Sequence, residues 1–434
     1  MTEDVVPVGP EDCGRGKCLA LTMLLFGSIG GITWAIRGTG GWGGMDGTLV
    51  PGMTWGLLWY YVSRRMGVDG RGISFWLGFG IALGGMLGYG QYISWIRGMF
   101  NVKDEIIPVA RWIGFLWLAV TGLGWGAPGG IALGWAIGRG TGLKGWLARL
   151  FVPLIVAFLG WILVQTCPVL FFPNHDLGIY GEELGRHLQR TVSTNTTNAV
   201  TAFWWIGAMI VAGLQRDRRT LIAGGVISGG FFFAFPLSAA WCLGYEHAPQ
   251  YIDWWKVWEL SSGFFMGALY ALMLFWWMKP KHRPEEPSPL PVRVDKRRAV
   301  SITMCVSTLL LITFFGVTSR AGVVLGLYDD KAVDQYQWPL PRIILFAPLA
   351  LAILGGMTAR LWQILRHVGG TPLDQAREPA LSHRVGDVMM LMGLVGAITI
   401  WPHKIGVLYA FFLLWAIFAF NRLRSRTASS VPEG

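Results

Sequence analysis

Apolar stretches of about twenty residues recur from one end of the chain to the other, separated by short polar segments. That spacing predicts helices that cross a membrane, since about 20 residues at 1.5 Å each span the hydrocarbon layer. Twelve such spans can be read, at 18–36, 48–62, 73–96, 107–137, 148–167, 198–214, 220–243, 254–278, 299–317, 342–364, 387–401 and 404–421. The expected fold class is all-α and polytopic, with about 12 transmembrane helices and with N and C termini in the cytoplasm. The loops supply the orientation. RRMGVDGR (64–71), RGTGLKGWLAR (139–149), QRDRR (215–219), the 279–298 loop and NRLRSR (421–426) are basic and all fall on one side, as the positive-inside bias requires.

Residue types within the spans refine that picture. Trp254, Trp255 and Trp258 open one span, and Trp276 and Trp277 close it, which is the aromatic belt expected at both membrane faces. Gly122, Gly126, Gly130, Gly134 and Gly138 recur at four-residue spacing. Gly80, Gly84 and Gly88 do the same, as do Gly27 and Gly31. Such stripes let helix backbones approach closely, and some bundles use them to slide or rock.

One motif occurs twice. Trp34-Ala35-Ile36-Arg37-Gly38-Thr39-Gly40 matches Trp135 to Gly142 with one inserted glycine, after which Val50-Pro51 aligns with Val152-Pro153 and Trp59 with Trp161. Phe75-Trp76 aligns with Phe203-Trp204. One copy starts on an outward span and the other on an inward span. Spans 1–6 therefore read as a 3+3 inverted repeat, 18–96 and 107–214, an arrangement of many secondary transporters. The domain expectation follows. A cytoplasmic tail (1–17) leads into an eight-helix membrane block (18–278). A Pro-rich charged linker, KPKHRPEEPSPLPVRVDKRR (279–298), joins it to a four-helix block (299–421) and a cytoplasmic tail (422–434).

Composition agrees. Hydrophobic residues make up 53% and charged residues only 14%, against about 25% charged in soluble domains. Disorder is excluded for the same reason. The net charge of +11 follows from the basic inner loops, so no nucleic-acid partner is expected. The first seventeen residues, MTEDVVPVGPEDCGRGK, lack the basic start of a signal peptide, so the first span reads as an uncleaved anchor. The expected location is the cell (inner or plasma) membrane. The five cysteines form no CxxC motif, no metal site is expected, and no cofactor motif is present. Cys167 and Cys242 fall near the outer face, which leaves a disulfide between them open.

Candidate chemistry lies in four places. In RGTGGWGGMDGT (37–48), clustered glycines expose backbone N–H groups. There Arg37 offers a fork of donors, Asp46 a carboxylate, and Trp34 and Trp42 stacking faces for a solute. Tyr89, Gln91, Tyr92 and Trp95, with Ser94 and Arg97 beside them, put polar and aromatic groups at the outer end of the third span, which suits a sugar or zwitterion. Asp253, Lys256 and Glu259 follow at i, i+3, i+6. Glu259 enters the apolar zone as a proton-coupling carboxylate with Lys256 as its partner, and His247 nearby is a further candidate for proton coupling. In the outer loop 168–197, His175 and Asp176, with Glu182, Glu183 and His187, offer an acid/base alternative, although their spacing matches no metal or nucleophile motif.

The leading expectation is a secondary transporter or permease for a small polar solute, a sugar or an organic anion, coupled to protons, with membrane lipids as its other partner. The alternatives are a membrane-embedded transferase acting on lipid-linked or acyl substrates through His175 and Asp176, and a structural subunit of a membrane complex.

Overall fold

A computed structural model describes residues 15–35, 44–65, 73–103, 105–138, 141–181, 184–277, 296–329, 338–366 and 406–425. Among these, nine helices are long and apolar enough to cross a membrane. The expected span at 387–401, Arg37 and Trp42, Arg139, Glu182 and Glu183, and most of the 279–298 linker lie outside the described residues.

The helices are α1 (Arg15–Ala35), α2 (Gly44–Arg65), α3 (Ile73–Gly85), α4 (Tyr92–Trp95), α5 (Arg111–Ile137), α6 (Leu143–Thr166), α7 (Arg186–Leu214), α8 (Arg218–Ala239), α9 (Trp254–Trp277), α10 (Lys296–Val324), α11 (Leu340–Arg366) and α12 (Gly406–Ser425). Three differences from the sequence expectation stand out. The third segment is not one helix over 73–96. It ends at Gly85 and resumes only as the single turn of α4. An antiparallel hairpin, β1 (Met99–Val102) with β2 (Glu105–Pro108), interrupts the otherwise all-α architecture. Lys103 at its tip has a φ of +51°, the left-handed geometry that two-residue hairpin turns demand. Finally, α7 begins at Arg186, twelve residues before the span read at 198. Its added turns are rich in Thr and Asn, yet Thr191, Thr194, Asn195 and Asn198 are all buried.

The chain forms two packing units, with their boundaries inside α3 and α9. The first comprises Met1–Phe79 and Gly267–Gly434. In it, Trp34 at the end of α1 stacks on Trp55 of α2 at 5.9 Å, and the Trp55 indole donates to the Phe26 carbonyl (3.2 Å). Gly52 and Gly56 let α2 meet α3 backbone to backbone. Arg342 of α11 is buried between the rings of Phe315 and Trp338, 4.6 and 4.7 Å from their centres.

The second unit is Gly80–Met266. Its centre is α5, whose glycine stripe lies on α8. A side chain at Gly126 would meet the Ile227 carbonyl oxygen at 2.9 Å, and one at Gly130 the Ala223 carbonyl at 2.8 Å. Gly80 and Gly84 of α3 lie in the same way on the backbone of α5 near Pro128 and Trp125. The stripes therefore act in close helix packing. Beside this core, α6 packs on α7, with Gly207 against Pro153. The other side of α6 leaves Leu150, Phe151, Leu154, Ile155, Phe158 and Leu159 more than half exposed. A continuous apolar face of that kind is what a lipid-facing helix presents.

Candidate functional site

The break after α3 organises the second unit. Without helical partners, the carbonyls of Leu87 and Gly88 need donors. The Trp125 indole serves Leu87 (3.0 Å) and the Asn198 side-chain amide serves Gly88 (2.9 Å). Gly90, at a φ of +44°, turns the chain toward α4. A Cβ there would also press on the Thr194 side chain, so two constraints require glycine.

Below the break, the polar face of α7 is spent on fixing it. The Gln91 amide donates to the Asn101 carbonyl (3.0 Å) and to Thr191 Oγ1 (3.1 Å), while its oxygen accepts from the Asn101 backbone (2.9 Å). The Tyr92 hydroxyl donates to Asn195 Oδ1 at 2.7 Å and accepts from Asn198 Nδ2 at 3.3 Å. Its ring stacks on Trp117 at 5.7 Å. Trp95 is fully buried, and its indole N–H has no acceptor among the described residues. Of the four residues expected to bind solute here, Gln91 and Tyr92 thus direct their polar atoms into the protein. Tyr89 alone remains partly exposed.

Tyr89 leads to the second cluster. Its ring lies 5.4 Å from that of Trp255 and 5.0 Å from that of Trp258, both on α9. Phe235 and Trp125 complete the aromatic floor, 4.6 Å apart. Within it, Lys256 Nζ donates to Glu259 Oε2 at 2.6 Å, and the Trp255 indole donates to Glu259 Oε1 at 3.0 Å. The two charged side chains are 8% and 6% exposed. Asp253 caps α9 by accepting from the Lys256 backbone N–H (3.2 Å) and also accepts a hydrogen bond from the Tyr245 hydroxyl (3.3 Å). The structure therefore brings the third-segment set and the α9 set together through Tyr89. Tyr89, Tyr245, Trp255 and Arg97 form a partly exposed rim, and Trp258, Lys256 and Glu259 a buried floor.

Elsewhere the candidates are dispersed. Trp34 is buried in α1 against Trp55, and Asp46 falls within α2 with its side chain outside the described residues. His247 is exposed. His175 stacks on Tyr180 at 5.8 Å, Asp176 is exposed, and neither side chain makes a hydrogen bond among the described residues. Tyr180 donates to the Pro173 carbonyl (3.0 Å), and burial pushes its phenol above the ordinary value. Cys167 and Cys242 are free thiols, so the disulfide left open by the sequence does not form.

Sequence reasoning missed one charged site. Arg149 of α6 is 4% exposed. It donates to Gln215 Oε1 (2.9 Å) and Asp217 Oδ2 (2.8 Å), with the Trp146 ring 5.1 Å from its guanidinium. Asp217 also caps α8 through Thr220. In the sequence these residues look like ordinary basic-loop residues. Only the packing of α6 on α7 makes them a buried pair.

The chain matches no protein-family description, no curated protein and no solved structure.

Proposed function

We propose that the protein is a secondary transporter of the cell membrane that moves a small polar solute, a sugar or an organic anion, with protons. In this reading twelve helices span the bilayer, in an eight-helix and a four-helix block joined by the 279–298 linker. Both termini are cytoplasmic, and spans 1–6 are a 3+3 inverted repeat. The repeat is supported by the two copies sharing one local design. Each has Trp-Ala-Ile and an RGTG segment in sequence, followed by a helix with an internal proline, Pro51 in α2 and Pro153 in α6.

The observation that carries the proposal is the interrupted third segment. At 13 residues and 1.5 Å per residue, α3 is about 20 Å long, short of the roughly 30 Å hydrocarbon layer. Irregular backbone inside a membrane is tolerated where it lines a site between helices, which is where broken-helix transporters hold their solutes. Glu259 lies next to this break. A carboxylate sealed among tryptophans, paired with one lysine, is a natural carrier of a coupling proton. The transferase alternative draws no support from the separated loop residues His175 and Asp176.

The test is proton movement. The full chain is reconstituted in liposomes with a pH-sensitive dye inside, and sugars, sugar acids, amino acids and organic anions are added in turn. One class is expected to drive internal acidification, and Glu259→Gln to abolish it while retaining exchange of unlabelled for labelled solute. A protein that moves no member of the panel, or whose Glu259→Gln variant still moves protons with solute, is not the transporter described.

A further inference from the structure

Arg97 is the unused charge of the site. It sits at the turn between α4 and β1, where its backbone N–H donates to Ser94 (3.0 Å) and the following Gly98, at a φ of +80°, donates to Trp95 (2.8 Å). The backbone beneath it is thus fixed on both sides. The guanidinium carries five N–H donors, yet among the described residues it makes no hydrogen bond and no ion pair. Its Nε is sealed from solvent without an acceptor, and its central carbon Cζ lies over the Tyr245 ring, 5.6 Å from the ring centre. The acids around it are engaged. Glu259 holds Lys256 and Trp255, Asp253 holds Tyr245 and the α9 N-terminus, and Glu246 pairs with Arg111 at 3.3 Å.

Sealing Nε from water without an acceptor is costly, because that donor forfeits its bond to water, while the Nη donors stay open to solvent. Solvated surface arginines such as Arg186 and Arg218 avoid that cost by being exposed. At Arg97 the Nη donors that remain open can take an acceptor that arrives from outside. Arginine's fixed fork matches the two oxygens of a carboxylate. The groups beside it narrow the choice. Tyr245 lies under the guanidinium, Trp255 donates its backbone N–H to the Tyr245 hydroxyl (3.1 Å), and Tyr89 lies against Trp255. These ring faces give an organic body apolar contact that inorganic phosphate or sulfate has no means to use.

We infer that Arg97 is the solute-anchoring residue, and that the solute is a small organic carboxylate held by the guanidinium with its carbon frame against Tyr89 and Trp255. This rests on the transporter reading and narrows it from "sugar or organic anion" to the anion. It gives Arg97 the orienting role that the sequence alone suggested for Arg37.

The test uses the purified full chain in detergent. Mono- and dicarboxylates, their neutral amides, neutral sugars, phosphate and sulfate are titrated, with binding read as a rise in melting temperature. At least one carboxylate is expected to bind and its amide to fail. Losing a hydrogen-bonded charge weakens binding by about 10- to 100-fold, so Arg97→Gln is expected to weaken the carboxylate by that factor. Arg97→Lys should recover part of the loss, and Arg111→Gln should leave binding intact. An unliganded melting temperature close to native certifies each variant's fold, and Arg97→Lys provides the comparison if Arg97→Gln fails that control. Equal binding of acid and amide, full affinity in Arg97→Gln, binding of sugars or inorganic oxyanions alone, or no binding by any carboxylate each overturns the inference. Liposome flux separates the two claims. A carboxylate bound through Arg97 but never moved defeats the transporter reading only. A neutral sugar moved equally by native protein and Arg97→Gln defeats the inference only.

Discussion

Replacing Lys256 by methionine is the most direct probe of the buried pair. At 2.6 Å and an effective dielectric of about 20, the bare attraction between the charges is about 6 kcal/mol. Removing both ions from water costs several kcal/mol apiece, so the intact pair contributes little net stability. The single variant is different, because it removes the ammonium that Glu259 Oε2 accepts from and leaves the carboxylate charge in place beside the Trp255 indole. Breaking a buried pair in this way costs about 3–5 kcal/mol. The double variant Lys256→Met/Glu259→Gln removes both charges and keeps an acceptor for Trp255, so it should lose less than about 1.5 kcal/mol. The assay is unfolding in mixed micelles at rising dodecyl sulfate, at one pH, for the native protein, both single variants and the double. Coupling of about 2 kcal/mol or more is expected. If the single effects add to within about 0.5 kcal/mol in the double, the residues are independent and the reasoning fails.

Three further outcomes follow from the packing. Gly126→Ala places a methyl 2.9 Å from the Ile227 carbonyl oxygen and should cost about 1–3 kcal/mol. Gly229→Ala, with nothing within 4 Å, should cost nothing measurable in the same titration. Equal behaviour of the two would contradict the seam. Tyr92→Phe removes the donor to Asn195 and the acceptor of Asn198, so about 1–3 kcal/mol of stability should disappear, and a native-like melting temperature would refute the network. In maleimide labelling followed by intact mass, Cys167 should react in the folded protein, and the buried Cys242 and Cys305 only after denaturation. Early modification of Cys242 would place it wrongly.

The long apolar segments were legible because hydrophobic length alone determines them, and α5, α6, α8 and α9 begin and end near where their apolar runs do. The start of α7 was hidden because threonines and asparagines read as solvated loop. Their polarity meets Gln91, Tyr92 and the Gly88 carbonyl, partners that only folding supplies. The break in α3 was hidden for the opposite reason. Leu87 and Tyr89 keep the hydropathy high while Gly88 and Gly90 carry the turn. Lys256 and Glu259, three positions apart, could be paired from sequence. Arg149 and Asp217, 68 positions apart, could not. Arg97 lay in view beside the aromatic set, but that its guanidinium meets no acceptor among the described residues is a three-dimensional fact.

The α5–α8 seam also sets the grain of any motion. Backbone rests on backbone there, so no side chain can swing aside to let one helix creep along the other. A small axial shift would drive the ridges of α8 against residues flanking the glycines. Registry returns only after four residues, about 6 Å, when each glycine meets the next turn of its neighbour. The pair therefore behaves as a two-tooth rack, either locked or displaced by a whole turn. The α6–α7 seam is mixed by comparison: Gly207 meets the Pro153 backbone, but Gly160 meets the Phe203 ring, a side chain that can readjust.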